Sequence, residues 1–234
     1  MVLKQTKSPL LSFIAVLPLV VIYEVVMFIR FYTEPMAIRN GADILLKRLL
    51  SEIGFYGLEA SIVLFLLVFI LVKWIHNIHF KESELHLGYI PVMIGESLIY
   101  ALVIFYILIH LNVPYTPINP QDHELSIAYS CGAGVYEELV FRALLMYGFY
   151  KLVLTIGKNK GLAWGVAILL STGIFVSLHY IGEFKYPFAW NTFLVRFAVS
   201  LILSVIFIFR GFAVAAYTHT FYNLSLIYLG GLIR

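Results

Sequence analysis

The chain has 234 residues, 62% of them hydrophobic and 12% charged, with a mean hydropathy of +0.93. That balance leaves too little polar surface for a soluble domain and makes the bilayer the solvent. The formal net charge of +3 comes with 16 Lys and Arg that sit mostly between apolar runs, as topology determinants do, so nucleic acid is excluded as a partner, and the single cysteine, Cys131, excludes an intrachain disulfide and a thiolate metal cluster.

Taken in chain order, Lys4 and Lys7 precede an apolar stretch from Leu10 to Ile29 that is longer than a signal-peptide core and has no small-x-small site after it, so it reads as an uncleaved first span. A mixed segment follows, Glu34 to Gly54. Its Ile44, Leu45, Arg48, Leu49 and Glu52 fall at helical spacing, which predicts an amphipathic interfacial helix rather than another span. Further apolar runs, with the first at 10–31, lie at 57–75, 90–111, 126–150, 161–181, 193–209 and 211–232, each near the length of about 20 residues that crosses the hydrocarbon core. Between the third and fourth, Pro114, Pro117 and Pro120 mark a loop without Lys or Arg. Lys151, Lys158 and Lys160 cluster after the fourth, and with Lys4 and Lys7 they predict a cytoplasmic N-terminus, against which Arg39, Lys47 and Arg48 would lie on the wrong side. The expected fold is all-α, a polytopic transmembrane bundle of about seven (six to eight) spans in one membrane domain, residues 1–234. N-terminal spans occupy 1–124 and the chemically loaded helices 125–234.

Ionisable groups at mid-bilayer cost at least about 2.5 to 3.5 kcal/mol each, so those far from a helix end need a compensating role. The fourth span carries Glu137, Glu138 and Arg142 in an otherwise apolar run. Four residues apart, Glu138 and Arg142 share a helix face and suit an ion pair, whereas Glu137 points about 100° away and is left for the chemistry. The fifth span holds Phe175 and His179, the seventh His219 and Asn223, each pair one turn apart. A buried carboxylate beside a His can hold and deprotonate a water, and a second His with an Asn amide supplies two donors for the oxyanion formed when that water attacks a peptide carbonyl. No cofactor is needed for this. A zinc ion held by Glu137, His179 and His219 is the alternative way to polarise the water.

The order Glu-Glu-x-x-x-Arg at Glu137 to Arg142, Phe-x-x-x-His at Phe175 to His179 and His-x-x-x-Asn at His219 to Asn223 resembles the CPBP family of intramembrane glutamate proteases, which includes the type II CAAX prenyl endopeptidases and the bacterial Abi proteins. The resemblance covers roughly residues 125 to 230. It implies an intramembrane endopeptidase that cleaves near the membrane-proximal C-terminus of a protein or peptide. In that reading Glu137 and His179 activate the water, His219 and Asn223 form the oxyanion hole, and Glu138 and Arg142 support the site. Ser177 to Gly182 with Phe209-Arg210-Gly211 is similar to members proposed to process C-terminal sorting tails, so the implied substrate is membrane-associated and carries such a tail or a lipid. A bacterial or archaeal inner membrane is the implied location.

Two other classes compete. A proton-coupled transporter would use the same carboxylates and histidines as a relay, but the first half offers no matching charged half. A non-catalytic scaffold or immunity protein would use them only to fix helix packing. The remaining groups have plainer readings. Glu24, Glu59 and Glu96 near span ends are expected to snorkel or cap, Arg196 to reach the interface and Arg210 to set topology. His76, His79, His86, His110 and His123 are expected to be solvated and Phe175 to pack. Cys131-Gly132-Ala133-Gly134 is expected to allow close helix approach rather than to supply a nucleophile. No Gly-x-Ser-x-Gly or His-Glu-x-x-His is present.

Overall fold

The computed structural model describes residues 5–33, 39–80, 85–110, 122–181 and 187–230. Lys4, Gly182 and the loop with Pro114, Pro117 and Pro120 lie outside these residues. In chain order the elements are α1 (Pro9–Thr33), α2 (Gly41–Ser51), α3 (Gly57–His79) and α4 (Tyr89–His110). Next comes α5 (His123–Gly132), which runs on as a π-helix (Ala133–Met146) and α6 (Tyr147–Gly157), then α7 (Lys160–Leu178), α8 (Trp190–Arg210) and α9 (Phe212–Tyr228). Among the described residues there is no strand. The chain is an integral membrane all-α bundle.

Helix ends follow local chemistry. Asn40, Asp122 and Asn159 each accept a backbone N–H in the first turn of α2, α5 and α7, the N-cap bond that satisfies an otherwise orphaned donor. Between α8 and α9 the chain turns on one residue, Gly211, at φ +90°, a backbone conformation closed to most side chains.

Six helices are long and apolar enough to cross a membrane: Pro9–Tyr32, Gly57–His79, Tyr89–His110, the continuous His123–Gly157, Lys160–Leu178 and Trp190–Arg210. The expected seventh run, 211–232, forms α9, which at 17 residues is roughly 25 Å long and shorter than those six. It forms the axis of the bundle. Residues 213–220 are all buried, and α9 packs on α4, the π-helix, α5, α8 and α1. The run Ala213-Val214-Ala215-Ala216 is small enough to let those neighbours close around it.

The amphipathic segment forms α2, with its polarity turned inward. Asp43 is fully buried while Ile44, Leu45 and Leu49 are exposed, the arrangement that an oily surround selects. Several expectations for single charges are corrected in the same sense. Glu24 does not snorkel: it accepts from Lys47, Arg39, Ser61 and the Tyr136 hydroxyl. Glu96 on α4 pairs with Arg210 at 2.5 Å and accepts from Tyr100, so Arg210 is more than a topology residue. His76 is buried against Ser8 Oγ at 3.1 Å, not solvated, whereas His79, His86, His110 and His123 are exposed as expected. Arg196 turns inward to the Tyr180 hydroxyl at 2.9 Å. In each case a polar partner within the protein replaces the water that a span cannot reach.

Candidate active site

The loaded segment is a π-helix, whose i→i+5 hydrogen bonds widen each turn and make the angular step between neighbours smaller than in an α-helix. Such turns are mostly single and often mark functional sites, whereas here the π geometry runs for 14 residues. Two glycines bring partners close to its start. A Cβ at Gly132 would sit 2.5 Å from the Tyr23 ring, and one at Gly134 would collide with Thr220 Oγ1 and lie 2.5 Å from the Ala216 carbonyl oxygen. The close approach expected of the Gly-rich stretch is thus to α1 on one side and α9 on the other. Cys131 is 2% exposed in the apolar core, a packing position.

Close approach puts Glu138 against His219. Glu138 is fully buried; its Oε1 accepts from His219 Nδ1 at 2.9 Å and lies 3.0 Å from Arg142 Nη1. Arg142, also fully buried, donates from Nη2 to Ser200 Oγ at 2.9 Å and lies over the Phe175 ring at 4.7 Å. With Arg142 as its ion-pair partner Glu138 is an acceptor, so the Nδ1 of His219 carries a proton and its Nε2 is turned toward the site. Phe175 therefore does more than pack, since it covers the guanidinium and meets the His179 ring edge-on at 4.8 Å.

Glu137, which is only partly buried, faces the other edge of the same imidazole, with its Oε2 3.9 Å from His219 Nε2. His179, at the end of α7, directs Nδ1 to the Phe175 carbonyl at 2.9 Å. A carbonyl only accepts, so that nitrogen is the donor and Nε2 is left as a base. Glu137, His219 and Arg196 are its charged and titratable neighbours. Asn223 lies one turn after His219 on α9, half-buried, with its amide making no hydrogen bond to the described residues. Five of the expected residues thus fall in two linked groups, Glu138 with Arg142 and His219, and Glu137 with His219 and His179, while Asn223 lies one turn from His219 on α9. As for a zinc site, no three His, Cys, Asp or Glu side chains among the described residues come together as a metal-ligand set, so Glu137, His179 and His219 do not form one here.

One contact was not foreseen. Asn40, at the head of α2, donates from Nδ2 to Glu137 Oε1 at 2.8 Å. Around it Arg39 and Lys47 pair with Glu24 and Asp43, four charges that sum to zero within the bundle. Burial works against the Arg39 charge, but Asp43, Tyr23 and Glu24 together outweigh it and hold the guanidinium above its ordinary pKa. Spacing carried a trace of this cluster, since Arg39, Asp43 and Lys47 recur every fourth residue, an ion-pairing pattern along one helix face.

Residues 122–225 match the family model Rce1-like, type II CAAX prenyl endopeptidase Rce1-like. No curated protein and no solved structure matches the chain. The matched stretch contains Glu137, Glu138, Arg142, His179, His219 and Asn223, and it leaves out Asn40 and the rest of α2.

Proposed function

We propose that in this membrane chain, whose residues 122–225 match the family model Rce1-like, type II CAAX prenyl endopeptidase, Glu137 and His179 activate a water that cleaves a peptide bond near the C-terminus of a membrane-associated substrate. The observation that carries the reading is the 3.9 Å separation of Glu137 Oε2 from His219 Nε2, at which both atoms can contact one water oxygen placed beside the line between them. Glu137 takes a proton from that water as its oxygen bonds to the scissile carbonyl carbon, with His179 Nε2 as the second acceptor. The carbonyl oxygen becomes an oxyanion. Asn223 donates to it from its amide, and His219 donates from Nε2 while its Nδ1–H donates to Glu138. Collapse of the intermediate breaks the C–N bond, and the proton held by Glu137 passes to the leaving amine. No nucleophilic side chain and no metal is required.

By the chemistry named in the family model, the substrate carries a prenylated Cys followed by three residues. The test uses quenched-fluorescent peptides with that tail, farnesylated and unmodified, added to the purified chain in proteoliposomes. Glu137→Gln and His179→Ala are expected to abolish cleavage, the farnesylated peptide to be preferred, and a strong chelator to leave the rate unchanged. Wild-type rates in either variant would remove the mechanism, and loss of activity in chelator with recovery on added zinc would replace it by the metal-assisted one.

A further inference from the structure

We infer that Asn40 is a positioning residue for Glu137, so that the active carboxylate is held by α2, an element outside the family-matched stretch; the inference rests on the function proposed for Glu137. Three observations combine. The first is the hydrogen bond from Asn40 Nδ2 to Glu137 Oε1 at 2.8 Å, made across 97 residues of sequence. The second is that the direction of the amide is fixed. Asn40 Oδ1 accepts from the Ala42 N–H at 2.9 Å as the N-cap of α2, so the NH2 end has to face Glu137.

The third is that both ends of the contact are tied into one charged cluster. On the α2 side, the Asn40 backbone N–H donates to the Tyr23 hydroxyl at 2.9 Å, and that hydroxyl donates to Asp43 Oδ2 at 2.9 Å. On the π-helix side, Tyr136, the residue before Glu137, donates to Glu24 Oε1 at 2.5 Å, where Lys47 also lies at 3.0 Å. Lys47 reaches back to Asp43 Oδ1 at 2.9 Å and closes the loop. Asn40 is thus held at its backbone, and Glu137 through its neighbour Tyr136, so the two side chains face each other from anchored positions.

A consequence follows for the two carboxylate oxygens. Oε1 is occupied by the amide, leaving Oε2, the atom nearest His219 Nε2, to take the proton. Capping alone does not require this arrangement. Asp and Ser cap a helix as well as Asn does, yet Asp would set a second carboxylate against Glu137 and the Ser hydroxyl is too short to replace the amide.

That difference supplies the experiment. Asn40→Asp, Asn40→Ser and Asn40→Ala are purified beside wild type and Glu137→Gln, their unfolding temperatures recorded, and kcat and KM determined with the farnesylated fluorogenic peptide in proteoliposomes. Asn40→Ser, which keeps the cap, is expected to lower kcat about tenfold to a hundredfold with KM within about twofold, the loss that follows from removing one hydrogen bond to a charged group. Asn40→Asp, also capped, is expected to fall further, because two carboxylates then compete for one proton. Wild-type kcat in both capped variants, with loss confined to Asn40→Ala, would make Asn40 a cap only and overturn the inference. If that happens while Glu137→Gln is inactive, the proposed function stands without it. An active Glu137→Gln would instead remove the proposed function and the inference together.

Discussion

Glu137 and Glu138 are adjacent in sequence and opposite in circumstance. Glu138 is sealed between Arg142 and His219 and fully buried, while Glu137 is partly open and faces the other edge of the same imidazole. Removing the sealed acid leaves a buried guanidinium uncompensated, so Glu138→Ala is expected to cost about 3 to 5 kcal/mol of stability. Glu137→Gln keeps its neighbours' charges paired and should unfold near the wild-type temperature. Thermal unfolding of the two variants side by side checks this; equal losses would make both acids structural. The division between them was legible from spacing, because Glu138 and Arg142 are four apart and share a face even on the wider turn. Asn40 and Glu24 were not legible. Their partners Glu137 and Tyr136 lie 97 and 112 residues away, and periodicity within a helix says nothing about which helices touch.

At the scale of elements, the fourth span differs most from its expected form. Apolar patterning gives the same signal for α and π turns, so the sequence of the 14-residue π segment reads as ordinary helix, although the polar groups it displays stand out in it. The glycines beside it were legible in function, since small residues permit close approach. Gly134 carries that approach to α9. Gly134→Ala is expected to force the two helices apart and destabilise by about 1 to 3 kcal/mol, with a loss of cleavage larger than that shift alone would give. Gly148 on α6 is the control, because a Cβ there meets nothing within 4 Å and Gly148→Ala should be neutral or mildly stabilising. Denaturation and cleavage measured on both variants distinguish contact from composition. Equal effects at the two sites would discount the packing argument. α2 is a parallel case: its helical periodicity was visible, but which face looks outward depends on the solvent, and in an oily surround the apolar side is the outer one.

For the whole molecule, composition alone gave the membrane bundle, and the order of late motifs gave the helices that hold the site. What composition could not give is the share taken by the first half. Lys7 reaches the Ile208 carbonyl, Tyr23 packs on Tyr136, and α1 contacts α5, the π-helix and α9, so the N-terminal elements enclose the late ones as a single bundle. Following the helices through that bundle places the ends at Lys7, Lys158 and Gly211 on one side and those at Asn40, Asp122 and His179 on the other. Single cysteines in place of Lys158 and Asp122, on a background with Cys131→Ala, are expected to react with an impermeant maleimide from opposite sides of sealed vesicles. Labelling of both from the same side would break the seven-helix path.

The claim on which the account turns is that the Glu137 carboxylate takes the proton from the attacking water. Its most direct test is the single-turnover rate of peptide cleavage by Glu137→Gln, with enzyme in excess and in the membrane, beside wild type. The account predicts no detectable product from a variant that unfolds at the wild-type temperature; product formed at the wild-type rate would contradict it.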